Sequence, residues 1–283
     1  MIPPASDVLE AFGISTRPVP IAGGRGLCFK AGDRILRPSD NDQEAEYVGS
    51  LCHSIAALQP TKYRVPGPIA SKLGYVYKGW TAWTFLPGKS KPNLQAIFEA
   101  CRDFHADTAK LSTEKPEFLK YRRDRFTEAD LVTWEEKTLD EVADVNAEIL
   151  STIQPTLDQL LKLRKPILAD LKNQLIHGDL TGNILFDADT KVPPGIIDIT
   201  LYWRPALYAE AIIVADGLAW LNHGAELVGA FGTDAVRLQL LVRALYWRLL
   251  SYAIDPDLEF VGWHLPRVDY GRCAAVVGSF LQG

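Results

Sequence analysis

The sequence predicts an α+β chain of two lobes, a small β-rich lobe followed by a larger helical one, and three observations carry that expectation. From about residue 19 to residue 86 the apolar residues fall in short runs broken by glycine turns, the punctuation of strands. After Pro87-Gly88 they recur at a spacing of about 3.6, which lays them on one face of a helix. Strand-like runs then return in one place, around residues 175–198.

Taken in order, Gly23-Gly24-Arg25-Gly26 and Gly32-Asp33 mark turns between early strands, and Arg34-Ile35-Leu36-Arg37-Pro38 reads as the strand after them. A helix is expected near residues 41–57. The aromatic strand Trp80-Thr81-Ala82-Trp83-Thr84-Phe85-Leu86 closes the first lobe at Pro87-Gly88. Helical periodicity follows over residues 94–109, 124–139 and 144–163, and again over 208–221 and 235–253. The expected division is residues 1–87 and 88–283, with a ligand cleft between the lobes.

Composition narrows the function. A net charge of −5 and a pI near 5.6 argue against a nucleic-acid surface. No apolar run reaches the length of a membrane span, and the first seven residues lack the basic and apolar regions of a leader, so a cytoplasmic protein is expected. Cys28, Cys52, Cys101 and Cys273 are scattered without a C-x-x-C pair, which implies neither zinc nor a disulfide framework. Buried thiols in a reducing compartment fit better.

The chemistry concentrates in Leu175-Ile176-His177-Gly178-Asp179-Leu180-Thr181-Gly182-Asn183-Ile184-Leu185-Phe186, followed fifteen residues after Asn183 by Asp198 at the end of another apolar run. A carboxylate and a carboxamide share one short glycine-containing loop, and a second carboxylate ends a strand. Phosphoryl transfer needs such a set: one group orients the attacking hydroxyl, and oxygen ligands hold Mg²⁺ against the triphosphate. Asp179 fits the first role, and Asn183 with Asp198 fits the second. Gly-Asp and Gly-Asn pairs are also ordinary turn formers, but the run of loop, strand, turn at Pro193-Pro194-Gly195, strand and Asp198 makes that bland reading the poorer one.

This segment resembles the catalytic loop of the aminoglycoside phosphotransferase and choline kinase group, small-molecule kinases with a protein-kinase-like fold. Their loop reads H-G-D-x-x-x-x-N or H-G-D-x-x-x-N, and this chain has the shorter spacing. Asp198-Ile199-Thr200 matches the group's metal-binding Asp, which lacks the Phe-Gly of protein kinases. The resemblance implies a bilobal fold, ATP or GTP with Mg²⁺, and a small hydroxylated acceptor. His177 itself is read as bracing the loop through hydrogen bonds and taking no part in the chemistry.

Other parts follow from the same resemblance. Gly23, Gly24 and Gly26 take the place of a phosphate-covering loop. Arg37 stands where the group has a lysine, with Glu44 as its acidic partner and Glu46 as second choice. A guanidinium and an ammonium are not interchangeable at a tight phosphate site, so this departure bears on turnover. Phe85 and Leu86 lie where hinge backbone would bond adenine, and Phe104-His105 resembles a structural L-H pair. Beyond Asp198, Tyr202-Trp203-Arg204 forms an amphipathic run read as the acceptor contact, and D-x-x-x-Y-W-R-P resembles a subgroup of these proteins. Two competing functions are a catalytically silent nucleotide-binding regulator and a Mg²⁺-dependent phosphate-ester hydrolase.

Overall fold

The computed structural model describes residues 2–21, 27–188 and 191–281. Its contacts divide the chain into two compact units, Met1–Lys120 with Gln174–Trp203, and Tyr121–Asn173 with Arg204–Gly283.

The first unit opens with α1 (Ser6–Ala11), β1 (Val19–Pro20), β2 (Phe29–Ala31), β3 (Arg34–Pro38), α2 (Asp42–Ala57), β4 (Pro68–Ile69), β5 (Val76–Tyr77) and β6 (Trp80–Thr84). The strands form one antiparallel sheet in the order β1-β2-β3-β6-β4, and β5 also pairs with β6. Its register opposes Arg37 to Thr81 and Leu36 to Ala82. Leu36, Phe29, Ala31 and Ala82 cluster with Val8, Phe12 and Ile14, so alternation along β2 and β3 buries one face beneath α1. Asn41 caps α2 by accepting from the Glu44 N–H at 3.1 Å.

After α3 (Leu94–Leu111) the chain enters the second unit through α4 (Arg125–Thr133) and α5 (Ala147–Leu163). It returns to the first unit for β7 (Asn173–His177), β8 (Ile184–Leu185), β9 (Gly195–Ile196) and most of β10 (Leu201–Pro205). Four cysteines are free thiols, of which Cys52, Cys101 and Cys273 are buried.

The second unit continues with α6 (Ala206–Trp220), α7 (Ala225–Phe231), α8 (Ala235–Ile254), α9 (Leu258–His264) and α10 (Tyr270–Leu281). α8 is its axis, packed by α4, α5, α6 and α10 and buried from Leu238 to Ile254. Burial on every side forces its polar groups to find partners, and the Arg248 guanidinium holds the Asp216 carboxylate at 2.7 and 2.9 Å. No helix among the described residues is long and apolar enough to cross a membrane.

Two helix boundaries differ from the sequence expectation. The helix expected over 124–139 ends at Thr133, because Glu135 takes a left-handed φ of 59°. The Glu135 and Glu136 N–H groups then turn back to Val132 O at 3.2 Å and Leu131 O at 2.9 Å, a Schellman stop with an acid where glycine is usual. The helix expected from 144 starts at Ala147, since Asp144 is itself left-handed at 57° and Asn146 caps the helix. α1, α7 and α9, of six or seven residues each, are too short to show a period, and α10 lies beyond the helices the sequence expectation named.

Candidate active site

β7 delivers the loop. Leu175 and Ile176 are fully buried and fix its start, and Thr108 on α3 donates to Leu175 O at 3.0 Å. The His177 N–H donates to His105 Nε2 at 2.9 Å, which requires His105 to be neutral with its proton on Nδ1, toward Cys101. Burial, with a smaller push from His177, holds His105 at a pKa of about 3 against an ordinary 6.5. The His177 ring continues the relay: Nδ1 accepts from the Asp179 N–H at 3.1 Å, which leaves Nε2 to donate to Ile197 O at 3.3 Å. One imidazole therefore ties the Asp179 loop to the strand end that carries Asp198.

Asp179 is half-buried, and Asn183 encloses it. The Asn183 amide nitrogen donates to Asp179 O at 2.7 Å and to its carboxylate at 2.9 Å. That orients the carboxamide, because the nitrogen faces Asp179 and the oxygen must face away. Gly182, at a φ of 92°, makes the turn between them. β8 and β9 then pair Ile184 with Ile196, and the Ile197 N–H donates to Asn183 O at 2.9 Å. The hairpin brings the backbone of Asn183 beside that of Ile197, one residue before Asp198.

Asp198 adopts a left-handed φ of 50°, and Thr200 Oγ1 donates to its carbonyl at 3.1 Å. Its carboxylate pairs with the Arg37 guanidinium, reaching across from β3. Burial, the largest single influence, would lower the Arg37 pKa, but the charge and the hydrogen bond of Asp198, with smaller pushes from Cys28 and Asp40, together raise it. Glu46 is committed elsewhere: its carboxylate accepts from the Tyr75 and Val76 N–H groups at 3.0 and 2.8 Å and ties α2 to β5. Glu44 lies in the first turn of α2.

At the end of β6 the Phe85 N–H donates to Asp33 O at 2.8 Å, and Pro87 O accepts from Arg64 at 2.9 Å. Among the described residues the Leu86 N–H and C=O have no hydrogen-bond partner. Gly23, Gly24 and Gly26 lie outside the described residues.

The acceptor run Tyr202-Trp203-Arg204 is only partly as expected. Arg204 is buried, its Nε and Nη2 holding Asp130 at 3.0 and 2.6 Å and its Nη1 pairing with Glu136, while its guanidinium lies 5.0 Å over the Trp134 ring. All its donors point into the protein, so the expectation that it meets an acceptor is corrected: it anchors α4. Tyr202 is buried as well, and Trp203 is half-buried. Sequence reasoning passed over Arg64, whose partners, two backbone carbonyls and the Asp187 carboxylate, no motif announces.

Residues 31–202 match the phosphotransferase enzyme family. The chain belongs to that family. Solved structures agree at the level of the fold. A spectinomycin phosphotransferase in complex with ADP and spectinomycin superposes with a TM-score of 0.61 at 15% identity, covering 98% of this chain and 97% of that one. An aminoglycoside phosphotransferase from Alicyclobacillus acidocaldarius gives 0.60 at 16%, covering 100% and 97%. A microcompartment-associated aminopropanol kinase gives 0.60 at 14%, covering 98% and 96%. No curated protein matches by sequence. The phosphotransferase is thus a small-molecule kinase by family, with the kinase-like bilobal fold that its catalytic loop implied.

Proposed function

We propose that this phosphotransferase moves the γ-phosphoryl group of ATP to a hydroxyl of a small molecule, with Asp179 as the residue that orients and deprotonates the acceptor. The observation that carries this reading is the Asn183 amide clasped on Asp179 with its oxygen turned away, beside a strand end whose Asp198 is met by a β3 cation.

The donors suit Mg²⁺. Among the described residues no three His, Cys, Asp or Glu side chains are placed so as to hold a metal ion by themselves, and the candidate ligands are one amide oxygen and one carboxylate, both hard. Mg²⁺ commonly takes one or two such protein ligands and draws the rest from phosphates and water. When bound there it would supply positive charge against that of the group in transfer. Asn183 and Asp198 would hold it.

The chain's own groups do the rest. Arg37, paired with Asp198 in this structure, would turn its donors to the phosphates as the nucleotide enters, freeing the carboxylate, with Glu44 as its other candidate partner. The Leu86 N–H and C=O offer a donor and an acceptor for adenine, next to Phe85. Gly23, Gly24 and Gly26 would cover the phosphates. Trp203 supplies a flat wall for the acceptor.

The test is an ATP-consumption assay across amino-alcohols, sugars and aminoglycosides. Asp179→Ala should abolish transfer and leave nucleotide binding within about twofold. Turnover near the wild-type level in that variant would remove Asp179 from the chemistry.

A further inference from the structure

Arg64 lies between α2 and β4, outside every motif, with its side chain 23% exposed. Its guanidinium joins three stretches of chain. Nε donates to Pro193 O at 2.9 Å, Nη2 donates to Pro87 O at 2.9 Å, and the same Nη2 stands 3.4 Å from the Asp187 carboxylate. Its backbone adds two more bonds: the Arg64 N–H to Pro194 O at 2.9 Å, and the Ile196 N–H to Arg64 O at 2.8 Å. Pro87 lies three residues beyond β6, next to the Leu86 backbone proposed to bond adenine. Asp187, Pro193, Pro194 and Ile196 belong to the β8–β9 hairpin, which begins at Asn183 and ends just before Asp198.

The packing around this arginine is close enough to transmit position. Lys89 and Phe186 exchange backbone hydrogen bonds at 3.0 and 2.9 Å. A Cβ on Gly88, whose φ is 143°, would lie 2.9 Å from Phe186 O, and one on Gly195 would lie 3.0 Å from Leu86 Cδ1. The hairpin is therefore seated on the strand end with no room for a side chain, and Arg64 supplies the charge-assisted bonds across the seat.

We propose that Arg64 is a positioning residue for phosphoryl transfer, setting the distance between the backbone that receives the base and the hairpin that carries Asn183 and Asp198. It touches neither nucleotide nor acceptor. A nucleotide spans both ends at once, so a loosened hairpin lets either end bind alone but not both in register. The inference rests on the reading of Asn183 and Asp198 as metal ligands.

Calorimetry on the full chain separates the ends with three probes: adenosine, ADP in EDTA, and ADP with Mg²⁺. For Arg64→Ala the expected result is adenosine affinity within about twofold of wild type and a loss of about tenfold in the gain that Mg²⁺ gives to ADP. Arg64→Lys should fall between, since one ammonium lacks the fork that reaches Pro193 and Pro87 together; it also serves if the alanine variant does not fold. A full Mg²⁺ gain in the folded variants, or equal weakening of all three probes in step with a lowered Tm, overturns the positioning role and leaves Arg64 as packing. A wild type in which Mg²⁺ gives ADP no gain overturns the metal assignment itself, and the proposal with it.

Discussion

Arg37 makes a contact that depends on which cation stands on β3. A guanidinium has more reach and more donors than an ammonium, and here it spans from β3 to the Asp198 carboxylate. Arg37→Ala should cost nucleotide binding about 1.5 to 3 kcal/mol, the range for a charge-assisted hydrogen bond, and Arg37→Lys should keep much of it. Calorimetric affinity unchanged in the alanine variant would leave Arg37 as a partner of Asp198 alone. Arg204 makes the opposite case, a charged residue removed from function by burial. Arg204→Ala strands Asp130 in the interior and should cost about 3 to 5 kcal/mol in denaturant unfolding, while the acceptor KM of the folded fraction stays put. A changed acceptor preference without lost stability would return Arg204 to the site. His105 gives a pH signature. Its folded pKa, about 3, lies below its ordinary 6.5, so the unfolded chain binds the extra proton between those values and stability falls as pH drops below 6.5. The slope from this one group approaches about 1.4 kcal/mol per pH unit, and His105→Asn should remove that share of it. An identical slope in the variant would assign the acid sensitivity to other groups.

At the scale of elements, what the sequence displays is what repeats or alternates. β3, α2, β6, α3, α5 and α8 were legible because each pairs an apolar period with a boundary signal such as the N-cap Asn41 or Pro87. The end of α4 was not, because the apolar stripe continues through Trp134 to Leu139 and the stop depends on Glu135 accepting a left-handed backbone. The short α1, α7 and α9 offer too few turns to show a period. In the site, Asp179, Asn183 and Asp198 stood out because their spacing is local, within one loop and hairpin. The Arg37–Asp198 pair joins positions 161 apart and the Arg64 side-chain bonds reach up to 129 residues, so only folding reveals them. The cap of α5 gives an element-scale test. Asn146 accepts from the Glu148 and Ile149 N–H groups at 3.1 and 3.0 Å, so Asn146→Ala should lower unfolding stability by about 1 kcal/mol and leave nucleotide affinity untouched. A stability change below a few tenths would mean that water satisfies those donors equally well.

For the whole molecule, the two units are not two consecutive stretches. The first is built from Met1–Lys120 and Gln174–Trp203, and the second from Tyr121–Asn173 and Arg204–Gly283, so they alternate along the sequence. Nucleotide binding should therefore slow hydrogen exchange together in segments far apart in the sequence, residues 28–38, 84–89 and 177–198; protection confined to the first two would place the phosphates away from the hairpin. The same interleaving constrains how the chain is made. At roughly 5 to 20 residues per second, the ribosome delivers Trp203 several seconds after Lys120. Through that interval the nascent sheet waits with Arg37 exposed to solvent and no Asp198 to meet, while most of the helices that will form the other unit have yet to be synthesised. A chain stalled or truncated before residue 179 would carry the strand proposed to meet the base but no Asp179, Asn183 or Asp198, and would be a target for chaperones and proteases rather than a weakly active enzyme.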